Sequence, residues 1–224
     1  MKVLVACEES QEVCKAFREL GHEAYSCDIQ ECSGGHPEWH LKQDVLPLLY
    51  EPWDLIIAHP PCTRLCSSGQ RWLYYGDSDY REKKLAEQKD GIAFFMKFVE
   101  AAKKTGVKMA IENPVGIMSS IYRKPDCIYN PYDFTPETEC KKTCLWLFNG
   151  LKPLQPNQYI PKEQRTHGIW LSRFNGKYVS YSSPECAKMR SKTPPGVAKA
   201  MAEQWGGQDM NLFNNNIGCV NNEN

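Results

Sequence analysis

A cysteine follows directly on a short apolar run. Residues 54–58 (DLIIA) predict a buried strand, and the two prolines at 60 and 61 end it because proline cannot donate to a strand ladder. Cys62 comes next, so its thiol is expected just beyond the carboxyl end of a central strand, where open α/β sheets bind ligands. A thiolate there can act as a covalent nucleophile, whereas a lone cysteine on a turn is more often structural.

A carboxylate and an amide follow a second predicted strand, as Cys62 follows the first. Residues 107–111 (VKMAI) predict a strand that runs into Glu112 and Asn113 and is stopped by Pro114. Since the carboxyl ends of parallel strands share one edge of a sheet, Glu112 and Cys62 are expected to meet across one crevice. A carboxyl in such a crevice can have a raised pKa and act as an acid.

A strand–helix–strand unit is predicted at the N-terminus. Residues 2–7 and 23–27 predict strands, and Gly21 ends a helix between them. The apolar residues at helical spacing are Val13, Ala16, Phe17 and Leu20. Asp28 closes the second strand. In nucleoside-binding α/β folds an acid at that position holds the ribose hydroxyls, although an aspartate can equally begin a turn.

The loop after the first strand is acidic instead of glycine-rich. It reads ACEESQE and lacks the G-x-G-x-x-G pattern that holds a dinucleotide pyrophosphate. Glu8 and Glu9 would repel a pyrophosphate, but they would not repel a cation. The loop therefore favours a cofactor that carries positive charge.

Four potential metal ligands lie close together after the second strand: Cys27, Cys32, His36 and His40. Their spacing is looser than that of a zinc finger, and Pro37 separates the histidines. A zinc site and a loop whose histidines hydrogen-bond to backbone or substrate both remain open, and the second is favoured. Further on, Asp44 precedes Val45 and Leu46, which predict a short third strand. Its carboxylate is placed to meet an adenine amino group or to cap a turn.

A polar and aromatic loop is expected after Cys62. Residues 66–79 are rich in glycine, serine, arginine and aromatic residues, and long polar loops in compact domains often cover binding sites. Arg64, Arg71 and Trp72 are candidates to hold phosphates and to stack a base. An ordinary surface loop has the same composition, so both interpretations stay open.

Five further elements are expected: a helix over 78–104, a loop over 118–138, and strands over 143–148, 168–174 and 177–181. The last two strands predict a hairpin because Asn175 and Gly176 lie between them. Thr193 is expected to cap a final helix that starts with two prolines. Residues 207–224 are expected to be disordered, since most of them are asparagine and other polar residues.

Length and composition limit the class of protein. A chain of 224 residues with 42% hydrophobic residues predicts one domain with a real core. The 27 basic residues balance the 27 acidic ones, so nucleic-acid binding would require a local basic patch. No segment approaches the ~20 apolar residues of a membrane span. Eleven cysteines without a secretory signal indicate a reducing, cytoplasmic environment.

These residues together resemble the DNA cytosine carbon-5 methyltransferases, in a compact form like those of bacteriophages. HPPC (residues 59–62) is similar to the family's Pro-Cys nucleophile motif, and ENP (112–114) to its Glu-Asn-Val motif. Three more segments are similar to phage-type members: GGHPEWH (34–40), KKTCLWLFNGLKPL (141–154) and RSKTPPGVAKAMAEQWG (190–206). The resemblance implies an α/β, Rossmann-like S-adenosylmethionine-dependent methyltransferase fold over residues 1–206. It also implies that residues 115–190 are a small insertion in place of a target-recognition domain.

The resemblance implies a role for each site residue. Cys62 would attack carbon 6 of a flipped cytosine, and Glu112 would hydrogen-bond its ring nitrogen and amino group, with Asn113 beside it. S-adenosylmethionine is the implied methyl donor, and the residues expected along it are Ala6, Cys7, Glu8, Glu9, Ser10, Asp28, Ile29, Asp44, His59 and Pro60. Arg64 is the candidate cation for lowering the pKa of Cys62.

The sequence departs from the family at two motifs. The usual Phe-x-Gly-x-Gly motif is replaced by ACEESQE. The Gln-x-Arg-x-Arg motif has no clear counterpart, and its candidate arginines are Arg165, Arg173 and, in the favoured assignment, Arg190. Cytosine-containing DNA is the implied partner, and the cytoplasm of a bacterium or phage-infected cell is the implied location.

Two alternatives remain open. Exocyclic-amino methyltransferases, which modify N4 of cytosine or N6 of adenine, have Asn/Asp/Ser-Pro-Pro-aromatic at the same strand end. Here His59 replaces the polar residue and Cys62 the aromatic one, which favours carbon-5 chemistry. The second alternative is a non-catalytic, zinc-containing protein that binds nucleic acid.

Overall fold

The computed structural model describes residues 1–67, 76–167, 173–174, 177–178 and 183–207. Its strands are β1 (Lys2–Ala6), β2 (Glu23–Asp28), β3 (His40–Lys42), β4 (Leu55–Ala58), β5 (Lys108–Pro114), β6 (Cys127–Tyr129), β7 (Glu139–Cys140), β8 (Thr143–Phe148), β9 (Thr166–His167), β10 (Arg173–Phe174) and β11 (Lys177–Tyr178). Its helices are α1 (Glu12–Glu19), α2 (Ser78–Thr105), α3 (Met118–Ile121), α4 (Pro184–Ser191) and α5 (Pro195–Trp205).

Seven of these strands form one mixed sheet in the order β3-β2-β1-β4-β5-β8-β6. Neighbouring strands from β3 to β5 are parallel, and β8 runs antiparallel between β5 and β6. The strand order reverses between β1 and β4, which is the switch point where such sheets bind ligands. The expected α/β class is confirmed, and the sheet is compatible with a Rossmann-like fold.

Helices cover both faces of this sheet. The long helix α2 packs Phe95 and Phe98 on one face, and α1 and α5 pack Phe17 and Met201 on the other. Successive strand residues point to opposite faces of the sheet, and both faces are covered, so β1 and β4 are buried on both sides. This burial explains why their sequences are continuous apolar runs. Burial of each large apolar side chain stabilises the fold by about 1.5–3 kcal/mol.

Several expected elements are confirmed. The side chain of Asp77 caps α2 by accepting from the backbone N–H of Tyr80, and Gly106, with φ of 71°, ends the helix. β8 has the expected bounds. The hairpin is supported by antiparallel pairing of β10 with β11. The rest of both hairpin strands, their turn and the tail from residue 208 lie outside the described residues.

The third strand lies earlier than expected. β3 ends at Lys42, so Asp44 follows the strand instead of preceding one. Val45 and Leu46, where the short strand was expected, instead lead into a 3-10 turn, Pro47–Tyr50, that buries Leu48 and Leu49. Pro47 explains the difference, because a proline cannot donate to a strand ladder but is well suited to begin a turn.

Two further expectations are corrected around β5 and β6. β5 does not stop before Glu112, because β8 pairs with it as far as Pro114, opposite Thr143. Residues 118–138 are not a continuous loop, since they contain α3, β6 and the 3-10 turn Pro131–Asp133. Two parts of region 115–190, the strands β6 and β8, therefore belong to the main sheet.

The start of the last helix is also shifted. Pro194 occupies the N-cap position of α5, and Thr193 is buried one residue earlier without capping the helix. Proline is compatible with this position because the first helical N–H groups have no intrahelical acceptor.

Candidate active site

The ends of β1, β4 and β5 come together at one edge of the sheet. The register aligns Ala6 with Ala58, and Ala58 with Ile111. The backbone N–H of His59 then donates to the carbonyl oxygen of Ala6 at 2.9 Å. The segments that carry Cys62 and Glu112 therefore meet at this edge, as the order of strands and polar residues predicted.

His59 and Glu112 form a direct contact across that edge. Nδ1 of His59 lies 2.8 Å from Oε2 of Glu112. The two side chains are only 11% and 17% exposed. Low exposure makes such a contact electrostatically stronger than a surface pair. The pair joins the last residue before the Pro-Pro segment to the carboxylate of β5.

The pKa values of this pair shift in opposite directions. Burial alone would raise the pKa of Glu112, but the hydrogen bond and charge of His59, with a contribution from Lys141, hold it below its ordinary value. Burial alone would lower the pKa of His59, but Glu112 and Glu8 hold it above its ordinary value. The contact thus favours the imidazolium form of His59 and the carboxylate form of Glu112. The expectation of a raised pKa at Glu112 is wrong, because it did not include His59.

A second bond connects the same two segments. Nδ2 of Asn113 donates to the carbonyl oxygen of Pro60 at 3.0 Å, and Asn113 is buried. The amide of Asn113 therefore positions the backbone just before Cys62. This contact gives Asn113 a positioning function in the part of the chain that the structure describes.

Cys62 begins a single turn that carries a second thiol. The backbone N–H groups of Leu65 and Cys66 donate to the carbonyl oxygen of Cys62 at 2.9 and 3.0 Å. The turn brings the thiols of Cys66 and Cys62 into hydrogen-bond contact. That contact, burial, and the charge of Glu112 raise the pKa of Cys62 well above its ordinary value, while Lys141 acts against them. Cys62 is therefore a protonated thiol in this state.

The turn after Cys62 is attached to the segment after β5. The backbone N–H of Ile117 donates to the carbonyl oxygen of Leu65 at 2.9 Å, and that of Ser67 to the carbonyl oxygen of Val115 at 3.1 Å. A Cβ on Gly116 would lie 1.9 Å from the Leu65 carbonyl oxygen. Glycine is thus required for this close approach.

Lys141 adds a positive charge to this site, and sequence analysis gave it no role. Its charge acts on both Cys62 and Glu112 and lowers the pKa of each. Its ammonium donates to the backbone carbonyl oxygen of Arg190 at 2.8 Å, which brings the end of α4 to the site. The only sequence signal was its position in the KKTCLWLFNG segment before β8.

Arg64 faces away from this crevice toward α2. Its Nε donates to Oε2 of Glu87 at 2.6 Å. With Glu87, Arg64 lines a cavity of about 370 Å³ that also includes Pro61 and Phe94. The cation acting on Cys62 is Lys141, so the expectation that Arg64 lowers the pKa of Cys62 is corrected.

Glu8 caps a helix. Its carboxylate is buried and accepts from the backbone N–H groups of Val13 and Cys14 at 2.7 and 3.2 Å, at the start of α1. The helix N-terminus stabilises a negative charge there. Burial raises the pKa of Glu8, and the charge of His59 acts against that rise. Within the described residues, the Glu8 carboxylate thus belongs to α1 and to the surroundings of His59.

Several candidate cofactor residues lie at the neighbouring strand ends. Burial raises the pKa of Cys7, and the nearby charges of Asp28 and Asp44 raise it further. Each of these aspartates also accepts a backbone N–H two residues on, at 2.9 and 3.0 Å. Ile29 is 75% exposed beside Asp28. Oε2 of Glu9 is buried without a hydrogen-bond partner among the described residues.

The remaining loop residues hold the β1–α1 loop in place. Ser10 is buried, and a Cβ on Gly34 would lie 2.5 Å from its carbonyl oxygen. The backbone N–H of Ser33 donates to the carbonyl oxygen of Glu9 at 2.8 Å. The segment that begins GGHPEWH therefore covers one side of this loop.

The cysteine–histidine segment forms no metal cluster among the described residues. Nδ1 of His40 contacts the hydroxyl of Ser26 at 2.9 Å, and its Nε2 contacts the carbonyl oxygen of Gln30 at the same distance. The His36 ring stacks on Trp39 with centroids 3.7 Å apart. The histidines therefore hydrogen-bond or stack within the protein, as the alternative to zinc predicted.

Two candidate substrate residues, Arg71 and Trp72, lie outside the described residues. No helix in the described part of the chain has the length and apolar character needed to cross a membrane. Comparison of the chain with protein-family models gave no match. Comparison with curated proteins gave no match either.

Proposed function

We propose that this protein is an S-adenosylmethionine-dependent DNA methyltransferase that acts on carbon 5 of cytosine. The observation that carries the proposal is that Cys62 and Glu112 lie at the same edge of the sheet, close enough for the charge of Glu112 to affect the thiol. A nucleophilic thiol beside a hydrogen-bonding carboxyl is the pair that addition to a cytosine ring requires. The resemblance of residues 59–62 and 112–114 to the family's two motifs supports the same chemistry.

The proposed reaction begins at Cys62. Its thiolate sulfur bonds to carbon 6, the C5=C6 electron pair shifts to C4–C5, the C4=N3 pair shifts onto N3, and N3 takes a proton from Glu112. Carbon 5 is then electron-rich enough to accept a methyl group. Loss of the carbon 5 proton and breakage of the S–C6 bond restore the ring. Since the ring faces are stacked in a duplex, the cytosine must be flipped out to reach Cys62.

The raised pKa of Cys62 makes deprotonation a required step, in which the thiol proton passes to solvent before the S–C6 bond forms. Lys141 favours the thiolate because its charge acts on the sulfur against Glu112 and Cys66. The proposal therefore assigns Lys141 the role of stabilising the attacking thiolate.

The residues at the ends of β1, β2 and β3 fit a cationic cofactor. The unpartnered carboxylate oxygen of Glu9 offers an acceptor for an ammonium group. Asp28 and Asp44 are suited to hydroxyl and amino donors, and exposed Ile29 offers apolar contact to a flat ring. S-adenosylmethionine, when bound, supplies an electrophilic methyl group. Cytosine-containing DNA as partner and the bacterial or phage-infected cytoplasm as location belong to the same proposal.

A trapping assay tests the proposal. Purified protein is incubated with S-adenosylmethionine and DNA that contains 5-fluorocytosine, which cannot lose a proton from carbon 5. The wild type should form an adduct that survives a denaturing gel. Cys62→Ala should form none, and Cys66→Ala, which removes the adjacent thiol of the same turn, should still form it.

Each outcome has a distinct meaning. An adduct that depends on Cys62 supports the carbon-5 mechanism. Methyl transfer to DNA without any adduct would instead indicate exocyclic-amino chemistry. Neither transfer nor adduct, on duplex and single-stranded substrates, would overturn the proposal and leave the non-catalytic alternative.

A further inference from the structure

His59 occupies an unusual position between two carboxylates. Its Nδ1 contacts Glu112 at 2.8 Å, and the charge of Glu8 acts on the ring from the β1–α1 loop. Nε2 is buried without a hydrogen-bond partner among the described residues. Lys141, which precedes β8, is the cation that opposes protonation of the ring.

The proposed reaction needs a proton that the resting Glu112 does not carry. Addition of Cys62 to carbon 6 is favourable only if N3 is protonated as the ring electrons shift toward it. Glu112 is an ionised carboxylate in the structure, because His59 holds its pKa below the ordinary value. The proton that Glu112 must deliver therefore has to come from a neighbouring group.

We propose that His59 is a positioning residue that stores this proton and relays it through Glu112 to N3 of cytosine. This inference rests on the proposed function. As the S–C6 bond forms, the proton on Nδ1 of His59 moves to Glu112, and the neutral carboxyl places it on N3. His59 becomes a neutral imidazole. When the S–C6 bond breaks at the end of the cycle, N3 returns the proton by the same route, so no net proton is consumed by the relay.

The geometry supports a relay more than a simple structural pair. The two side chains lie at the sheet edge that also carries Cys62, and their low exposure makes the direct His59 contact a faster proton source for Glu112 than bulk water. Glu8, Glu112 and Lys141 are the charged groups that act on His59, and the two carboxylates outweigh the one cation. His59 therefore holds its proton more tightly than an ordinary imidazole does, and it can still release that proton to a directly bonded acceptor.

The first arm of the test reads the proton on His59 without any substrate. Imidazole nitrogen NMR of the cofactor-free protein should show His59 titrating above its ordinary value of 6.5. In Glu112→Gln the same ring should titrate below that value, since burial then dominates. His36 forms an exposed pair with Glu38 at 3.1 Å and serves as the matched control. At one fixed pH, the ring chemical shifts of His36 should be the same in the wild type and in Glu112→Gln.

The second arm measures single-turnover methyl transfer from about pH 6 to about pH 9. His59→Gln keeps an N–H that can donate to Glu112 but has no proton to transfer. We expect a rate about 100-fold lower near neutral pH, with a loss that shrinks toward acidic pH as Glu112 takes protons from solvent. His36→Gln should retain the wild-type profile.

The outcomes separate the relay from the proposed function. Wild-type transfer with an unchanged rate and pH profile in His59→Gln would overturn the relay alone. A loss in His59→Gln that is equal at every pH would assign His59 a structural role and also overturn the relay. A wild type that neither transfers methyl groups nor traps 5-fluorocytosine would overturn both, whatever the NMR titration shows.

Discussion

The amide of Asn113 donates to the carbonyl oxygen of Pro60 at 3.0 Å, which links β5 to the residue two before Cys62. Asn113 is buried, so water does not compete for this bond. His59 and Glu112 make a parallel link one residue earlier on each segment. The nucleophile and the carboxylate are thus held by two adjacent contacts between the same pair of strand ends.

Asn113→Ala should destabilise the protein and reduce methyl transfer. The Pro60 carbonyl oxygen would lose its partner inside the protein, which costs about 1–3 kcal/mol. Urea denaturation measures the loss in the free energy of unfolding. Gln88→Ala is the control, because Gln88 makes a similar 3.0 Å bond to the carbonyl oxygen of Arg64 in a less buried position. A smaller loss in Asn113→Ala than in Gln88→Ala would contradict the assignment.

Cys66→Ala should make Cys62 more reactive toward iodoacetamide. The hydrogen-bond contact with Cys66 is the largest cause of the raised pKa of Cys62, so its removal increases the thiolate fraction. We expect alkylation of Cys62 to become about 3- to 10-fold faster at constant pH, as followed by peptide mass spectrometry. Cys32→Ala should leave that rate unchanged. An equal or slower rate in Cys66→Ala would show that the second thiol does not restrain the first.

Lys141→Met should have the opposite effect on the same thiol. Loss of the positive charge removes a contribution that lowers the pKa of Cys62, and it also raises the pKa of Glu112. Alkylation of Cys62 should slow by about tenfold for each unit of pKa. Lys142 is exposed and adjacent, so Lys142→Met is the matched control. Similar rates in the two variants would remove Lys141 from the site.

The His59–Glu112 pair should stabilise the protein within a defined pH window. The pKa of Glu112 is lowered on folding, so its contribution is complete above the ordinary value of 4.5 and is lost as pH falls through the lower folded value. The pKa of His59 is raised, so its contribution is complete below 6.5 and is lost as pH rises through the higher folded value. The full effect therefore lies between these two ordinary values.

The measurement compares the wild type with the double variant His59→Gln/Glu112→Gln. The difference in the free energy of unfolding should be largest between pH 4.5 and 6.5 and should fall on both sides. A difference that does not change with pH would mean that the pair is not ionised.

Glu8→Ala and Glu9→Ala should separate stability from cofactor binding. Glu8 accepts two backbone N–H groups at the start of α1, so its loss should cost about 1–2 kcal/mol of stability. Glu9 offers a carboxylate oxygen with no hydrogen-bond partner in the described part of the chain, so its loss should mainly weaken binding of S-adenosylmethionine, as measured by calorimetry. Weaker binding in Glu8→Ala at unchanged stability would reverse these assignments.

The elements with a strong local signal were predictable from the sequence. The predicted strands β1, β4 and β8 and the predicted range of the long helix α2 agree with the structure. β6 was missed because it is only three residues long and Ile128, at its centre, is 54% exposed. The extension of β5 through Pro114 depends on pairing with β8, and a distant partner leaves no local signal.

The same limit applies to the site. Cys62 and Glu112 could be placed together because both follow predicted strands in one parallel sheet. The directions of the pKa shifts could not be predicted from the sequence. They depend on contacts between residues far apart in the chain, such as His59 and Glu112, which are 53 positions apart. Lys141 was overlooked because lysines before a strand are usually solvent-exposed, and only the fold turns this one toward Cys62.

The bond from Lys141 to the carbonyl oxygen of Arg190 joins the chemistry of Cys62 to the folding of α4. If the last turn of that helix opens, the ammonium loses its acceptor and is no longer fixed beside the sulfur. Local opening of α4 and the pKa of Cys62 are then coupled, because each opening of the helix releases Lys141 from its position beside the sulfur. The labelling rate of Cys62 would therefore report how often α4, more than 100 residues later in the chain, unfolds locally.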